Sequence, residues 1–212
     1  MLVARKIYFN MDTMLMETLK QIKTAVILMI LLAILTGVIY PGIVTIIAQL
    51  GFPWQANGSI LQYHGQKIGS MLIGQQFFAV ENFWGRPSAT TGFPYNPLGS
   101  SGSNQGPSNP GFLATVQRRI NHLTLYPHPI NQPIPVDLVT ASGSGLDPEV
   151  SPLAILYQIP RVAAARHIGV SELTEFITHF IKQRTLMIMG EPRINILELN
   201  LALKDRYAGT AP

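Results

Sequence analysis

Cysteine is absent from the 212 residues, which excludes disulfides, nucleophilic thiols and cysteine-ligated zinc. Charge is scarce too, at 12% of residues, and residues 24–66 carry none at all. The formal net charge of +4 is mostly a matter of position. Arg5, Lys6, Lys20 and Lys23, with Asp12 and Glu17, precede the uncharged stretch, leaving 11 Lys and Arg against 9 Asp and Glu after it. Such a balance offers no basic patch for nucleic acid.

Catalytic and ligand-binding patterns are missing as well. Gly143-Ser144-Gly145 lacks the Gly-x-Ser-x-Gly spacing of a nucleophile turn. Gly65-Gln66-Lys67 lacks the rest of a phosphate loop, and Gly143-x-Gly145 lacks the third glycine of a dinucleotide site. His64, His122, His128, His167 and His179 have no i, i+4 pairing of the kind that holds a metal, so no metal site and no intrinsic cofactor are expected. Asp137 and Asp147 flank the polar loop 140–145, where capping of loop amides is the simplest use for them.

What is present is an apolar run of 23 residues, 25–47, AVILMILLAILTGVIYPGIVTII. At ~1.5 Å per residue, a helix of that length reaches about 35 Å, enough to cross a hydrocarbon core of roughly 30 Å. A cleaved signal would have a core of about 7–15 residues and a small-x-small site, so a retained anchor is expected. The cations lie before the run and the next one is Lys67, which puts the N-terminus in the cytoplasm and the C-terminal region outside. The segments expected are a cytoplasmic 1–23, a transmembrane helix 24–50, a connection 51–59 and a single outer domain 60–212. Within the span, Ala25, Ala33, Gly37 and Pro41 share an i, i+4 register interrupted by Met29. A mostly small stripe of this kind lets a partner helix approach, although Ala and Gly are also common in spans generally. Pro41 should kink or end the regular bonding near Tyr40, Phe52 and Trp54, an aromatic belt.

The outer region reads as mixed α/β. Segments 60–63, 67–73 and 134–140 have the aliphatic, turn-bounded character of strands. A helix is expected over 112–123 with Arg118 and Arg119 exposed. A second should start at the Ser151 cap with Pro152 at its first position, run toward His167, kink or split at Pro160, and stop at Gly169. A third should start at Ser171, with Leu173, Phe176, Ile177, Phe180 and Ile181 as its apolar face. Segment 193–203 is ambiguous between strand and helix. Between them, 21 of the 27 residues in 85–111 are Gly, Pro, Ser, Thr or Asn, and Arg86 is the only charge. Because Phe93, Tyr95 and Leu98 can anchor it, this stretch is expected to be an ordered loop rather than a linker.

Several blocks then carry a resemblance. Gly37-Val38-Ile39-Tyr40-Pro41, Phe52-Pro53-Trp54-Gln55-Ala56-Asn57-Gly58-Ser59, Leu72-Ile73-Gly74-Gln75 and Gly85-Arg86-Pro87-Ser88-Ala89-Thr90 strongly resemble the KdpC family. So do Tyr95-Asn96-Pro97, Gly102-Ser103-Asn104, Val139-Thr140-Ala141-Ser142, Ser144-Gly145-Leu146-Asp147, Gln158-Ile159-Pro160-Arg161-Val162-Ala163 and 197–203. They occur in family order from about residue 20 to residue 205; the first twenty or so residues extend beyond the pattern. The resemblance implies the small single-span subunit of a prokaryotic plasma-membrane P-type ATPase that imports potassium. Its partners would be a channel-like potassium-binding subunit, an ATP-hydrolysing subunit and a tiny single-helix subunit, in contact with membrane lipid. It would be an accessory subunit without catalysis of its own, acting as a catalytic chaperone for ATP binding by the hydrolysing subunit. With an outer domain and no phosphate-cradling motif, ATP is better treated as a ligand of the complex. Ala33, Gly37, Pro41, Arg86, Tyr95, Asn96 and Asn104 are the expected partner-docking residues. The competing expectation is a membrane-anchored outer hydrolase using Ser142 or Ser144 with Asp147 and a histidine.

Overall fold

The computed structural model describes residues 2–207, with side chains from Met14 onward. The side chains of Arg5, Lys6 and Asp12, on which part of the charge asymmetry rests, therefore lie outside the described residues. Two compact units divide the chain at Asn57 and Gly58, and the fold class is that expected: one long apolar N-terminal helix, then mixed helix with small sheets.

The first unit is helical almost throughout. Helix α1, Leu2–Ile34, passes through a π turn, Leu35–Ile39, into α2, Tyr40–Gly51. After Phe52 a single turn, α3 (Pro53–Ala56), ends at Asn57, whose side-chain amide donates to Pro53 O at 2.6 Å and Gln49 Oε1 at 3.2 Å. The stretch 14–51 is long and apolar enough to cross a membrane, and its large side chains are exposed along its length, as suits a lipid solvent rather than a protein core. Pro41 does not end the helix. It has no N–H for Gly37 O, and its ring would crowd that carbonyl. The preceding turn widens instead, with Tyr40 N–H donating to Leu35 O, an i to i−5 bond.

The second unit begins with a hairpin, β1 (Ile60–Tyr63) and β2 (Gln66–Ser70), antiparallel and bulged between Leu61 and Gln62. Expected strand 67–73 is thus cut short at Ser70. Helix α4, Pro110–Leu123, is capped by Asn109, whose side chain accepts from Gly111 N–H. Segment 134–140 is not a strand: Val136–Leu138 is a 3-10 turn, with Asp137 Oδ2 accepting from Ser151 N–H at 2.8 Å. Prolines at 133 and 135 deny it ladder donors.

The core lies between α5 (Pro152–Arg166), α6 (Val170–Thr178), α7 (Ile196–Arg206) and the two-residue pairing of β3 (Glu149–Val150) with β4 (Ile194–Asn195). Ser151 caps α5 through Ala154 N–H as expected, and Pro160 neither splits nor ends it. His167, in the left-handed conformation at φ 56°, is the stop, while Gly169 is the residue before α6. Ser171 therefore lies inside the first turn of α6 and not at its cap. Leu173 and Ile177 are buried as expected, but the helix closes at Thr178, and Phe180 and Ile181 pack on the core from the segment beyond. The ambiguity at 193–203 resolves as both: two residues of strand, then helix.

Buried polar side chains tie 80–84 to the helices, Arg166 of α5 among them through Glu81 O at 2.7 Å and Asn82 Oδ1 at 3.2 Å. Asn200 of α7 accepts from Phe83 N–H at 2.8 Å and donates to Phe83 O at 2.9 Å. Gln158 of α5 does the same for Trp84, at 2.8 and 3.1 Å. Arg161 donates to Val80 O, to Asn82 O at 3.0 Å and to Gln158 Oε1 at 2.7 Å, with its guanidinium stacked 3.7 Å over the Trp84 ring. Burial holds the Arg161 pKa down at about 10, with Tyr126 and Glu81 opposing, so it remains a cation. The side-chain amides replace the ladder partners this stretch lacks, and they deliver the chain to Gly85 in a fixed position.

Candidate functional site

The loop 85–111 is ordered by side chains within it and by the polar loop 140–147. Arg86 Nη1 donates to Asp147 Oδ2 at 3.3 Å and Nη2 to Ala141 O at 3.4 Å, bridging the two loops. Ser88 Oγ donates to Gly145 O at 2.7 Å and accepts from Tyr95 N–H at 2.8 Å. Ser101 N–H and Ser100 Oγ both donate to Ser144 O, each at 3.0 Å. Short hydroxyl side chains suit this work, since they reach neighbouring backbone with little rotamer entropy to lose.

Tyr95 is the anchor. It is buried, sits at φ 59°, and donates its hydroxyl to Arg86 O. Burial pushes its phenol up to about 12, Asp147 adding to the effect and Arg86 opposing it, so the hydroxyl stays a donor at physiological pH. Gly74 closes the other side of this ring. A Cβ there would stand 2.3 Å from Tyr95 Cε1 and 2.6 Å from Asp147 O, while its own N–H donates to Leu146 O at 2.8 Å. Gly145, at φ 67°, is required for its backbone conformation and for its approach to Ser101 O.

The structure therefore brings Arg86 and Tyr95 together and places Asn96 beside them. Asn96 accepts from Leu98 N–H and donates to Thr91 O, holding the exposed tip at Leu98. Asn104 lies further along at φ 50°, an exposed left-handed turn residue. Ala33, Gly37 and Pro41 belong to the other unit, all exposed on the helix, and nothing stands within 4 Å of a Cβ placed at Gly37.

As chemistry, the loop is a clamp. Ser142 Oγ accepts from Gly145 N–H at 2.9 Å, Ser144 Oγ from Leu146 N–H at 3.1 Å, and Asp147 Oδ1 from Glu149 N–H at 3.0 Å. No histidine is bonded to any of the three among the described residues. No group of three His, Asp or Glu side chains able to hold a metal occurs there either.

Arg119, expected to be exposed, is half-buried and donates to Val139 O at 2.8 Å. The Gln158, Arg161 and Asn200 network was not anticipated as such. Amides at 158 and 200 on otherwise apolar helix faces were the available signal.

A family model described as "KdpC: K+-transporting ATPase, c chain" matches residues 22–205. The chain is 56% identical over 182 residues to the potassium-transporting ATPase KdpC subunit of Herpetosiphon aurantiacus, covering 85% of this chain and 94% of that one. To the same subunit of Paraburkholderia xenovorans it is 49% identical over 184 residues, covering 87% and 96%. A Paraburkholderia phytofirmans relative, also named as the KdpC subunit, is 47% identical over 184 residues.

Proposed function

Because the chain belongs to the KdpC family, the c chain of K+-transporting ATPases, we propose that it is an assembly-stabilising accessory subunit of a potassium-importing pump, docking by its span and by its outer clamp. The observation that carries this is the extent of the match: residues 22–205 take in both the small-residue helix face and the Arg86–Tyr95–Asp147 clamp. On this reading the channel-like potassium-binding subunit is the docking partner outside, and the span meets a helix of the pump in the bilayer. The ATP-hydrolysing subunit keeps the chemistry. Ser142, Ser144 and Asp147 support a structural role because each already caps a loop amide. Any help to ATP binding then travels through the pump's conformational equilibrium, and the clamp contributes by fixing one docked arrangement.

The π turn favours the helix contact. Two i, i+4 steps from Ala33 to Pro41 overshoot a full repeat by roughly 80° in a regular helix, and a π turn takes up about one residue, or ~100°. Ala33 and Pro41 so return toward the same side. Gly37→Leu adds bulk there without loss of apolarity. Membrane insertion should persist while recovery with the pump subunits in mild detergent falls several-fold; unchanged recovery would put this face toward lipid.

The cation excess ahead of residue 24 predicts the orientation. A reporter active only outside the membrane should work when fused after Pro212. Activity of a cytoplasm-only reporter there would reverse the topology and reopen direct contact with cytosolic ATP. The assembly reading is tested by mild-detergent extraction: stable co-purification with large pump subunits is expected, and a lone chain with hydrolase turnover would favour the outer hydrolase.

A further inference from the structure

Beside the clamp is a pocket of about 600 Å³ whose lining includes Phe77, Phe78, Trp84, Arg86, Arg118 and Arg119. We propose that this pocket is a socket for a segment of a pump subunit that presents a carboxylate next to an apolar side chain.

The charge balance is the first argument. None of its lining residues is Asp or Glu. Arg86 has Asp147, but Arg118 donates to Thr115 Oγ1 at 3.0 Å and Arg119 to Val139 O at 2.8 Å, and neither forms an ion pair among the described residues. Two guanidiniums at consecutive positions, one of them half-buried, thus have no acidic partner among the described residues. Burial, and after it the charge of Arg118, lowers the Arg119 pKa, as an uncompensated pair requires. A carboxylate suits the planar donor fork of arginine, and the absence of acid in the lining rejects cations.

The apolar wall is the second. The Trp84 ring is held by Arg161 at 3.7 Å, by a stacked His122 at 5.3 Å and by its own N–H donating to Ala79 O at 3.0 Å, so the part it offers to the pocket is fixed. Phe78, by contrast, is 80% exposed, a large ring at the pocket with nothing over it. A small inorganic anion would meet the arginines and leave these rings in water. A protein segment covers both, and rigid aromatic and arginine anchors around a concavity are what energetically dominant interface positions use.

The inference rests on the docking reading above and names the chemistry of the partner. Its test is the assembled complex with photoreactive benzoylphenylalanine in place of Phe78, irradiated and analysed by peptide mass spectrometry. The crosslink should fall on a pump-subunit peptide bearing Asp or Glu within about three residues of the attachment point, a spacing within side-chain reach. Arg118→Glu, on an exposed side chain that leaves the fold intact, should lower the yield at least tenfold, and reversing the partner's acid to Arg should restore it. An intact complex whose crosslinks reach only lipid, only this chain, or a pump segment without acid would overturn the socket while leaving the docking reading standing. Yield unchanged by Arg118→Glu would do the same. Failure of the wild-type chain to co-purify with any pump subunit would overturn both.

Discussion

Asn200→Leu is expected to be among the most damaging single changes in the second unit. The leucine has similar bulk, but the buried Phe83 N–H and C=O both lose their partner. A buried group left unsatisfied costs about 1–3 kcal/mol, so the pair should lower stability by about 4 kcal/mol. For a region of this size that is a fall of roughly 10 °C in Tm, at about 2–4 °C per kcal/mol. Near-ultraviolet circular dichroism of the full chain in detergent reads chiefly the second unit, where the buried aromatic side chains Phe83, Tyr95, Tyr157 and Tyr207 lie. The exposed Asn121→Leu, whose side chain meets only Gln117, should stay within about 0.5 kcal/mol of the parent. Equal melting of the two variants would show that water replaces the Asn200 amide at no cost.

Gly74→Ala should release the clamp. Gly74 does not sit in the left-handed region, so alanine can adopt its backbone, and the entire effect comes from contact. The new methyl meets the Tyr95 ring on one side and the Asp147 carbonyl on the other, and neither has freedom to retreat: the ring is tethered by its hydroxyl to Arg86 O. Relief requires Tyr95 to leave its pocket or Gly74 to lose its bond to Leu146 O. Overpacking of this kind costs about 3 kcal/mol. Where cleavage follows the population of the opened loop, that raises proteolysis within 85–111 by roughly 100-fold. A cleavage pattern identical to the parent's would mean that the loop is held by its own turns and not by the Tyr95 anchor.

These two positions also show where a one-dimensional reading stops. The span is legible because lipid demands a continuous apolar run, and α5 because Ser151 and Pro152 announce its start locally. The order of 85–111 was foreseeable from its aromatic residues and its turn chemistry. Its partners were not, because Ser88 and Gly145 are 57 residues apart, and Asn200 and Phe83 are 117 apart. Segment 134–140 misleads because its aliphatic residues satisfy the strand pattern while Pro133 and Pro135 remove ladder donors, and Asp137 is engaged with the distant Ser151 N–H. Arg119 looks exposed by its neighbour Arg118, yet the one-residue step of about 100° around the helix turns it toward the Val139 carbonyl. Pro160 argues for a broken helix, and burial of Ile155, Ile159 and Val162 around it outweighs one missing bond.

The central claim is that this chain docks through its clamped loop and does no chemistry with its serines. Potassium-stimulated ATPase activity of reconstituted pump complexes, measured in parallel with Arg86→Ala and Ser144→Ala chains, tests it most directly. Arg86→Ala removes the bridge to Asp147 and the Ala141 carbonyl and should weaken both assembly and stimulated turnover several-fold. Ser144→Ala removes one turn cap and should leave turnover within a few-fold of the parent. Collapse of activity in an intact Ser144→Ala complex, with Arg86→Ala indistinguishable from the parent, would contradict the account.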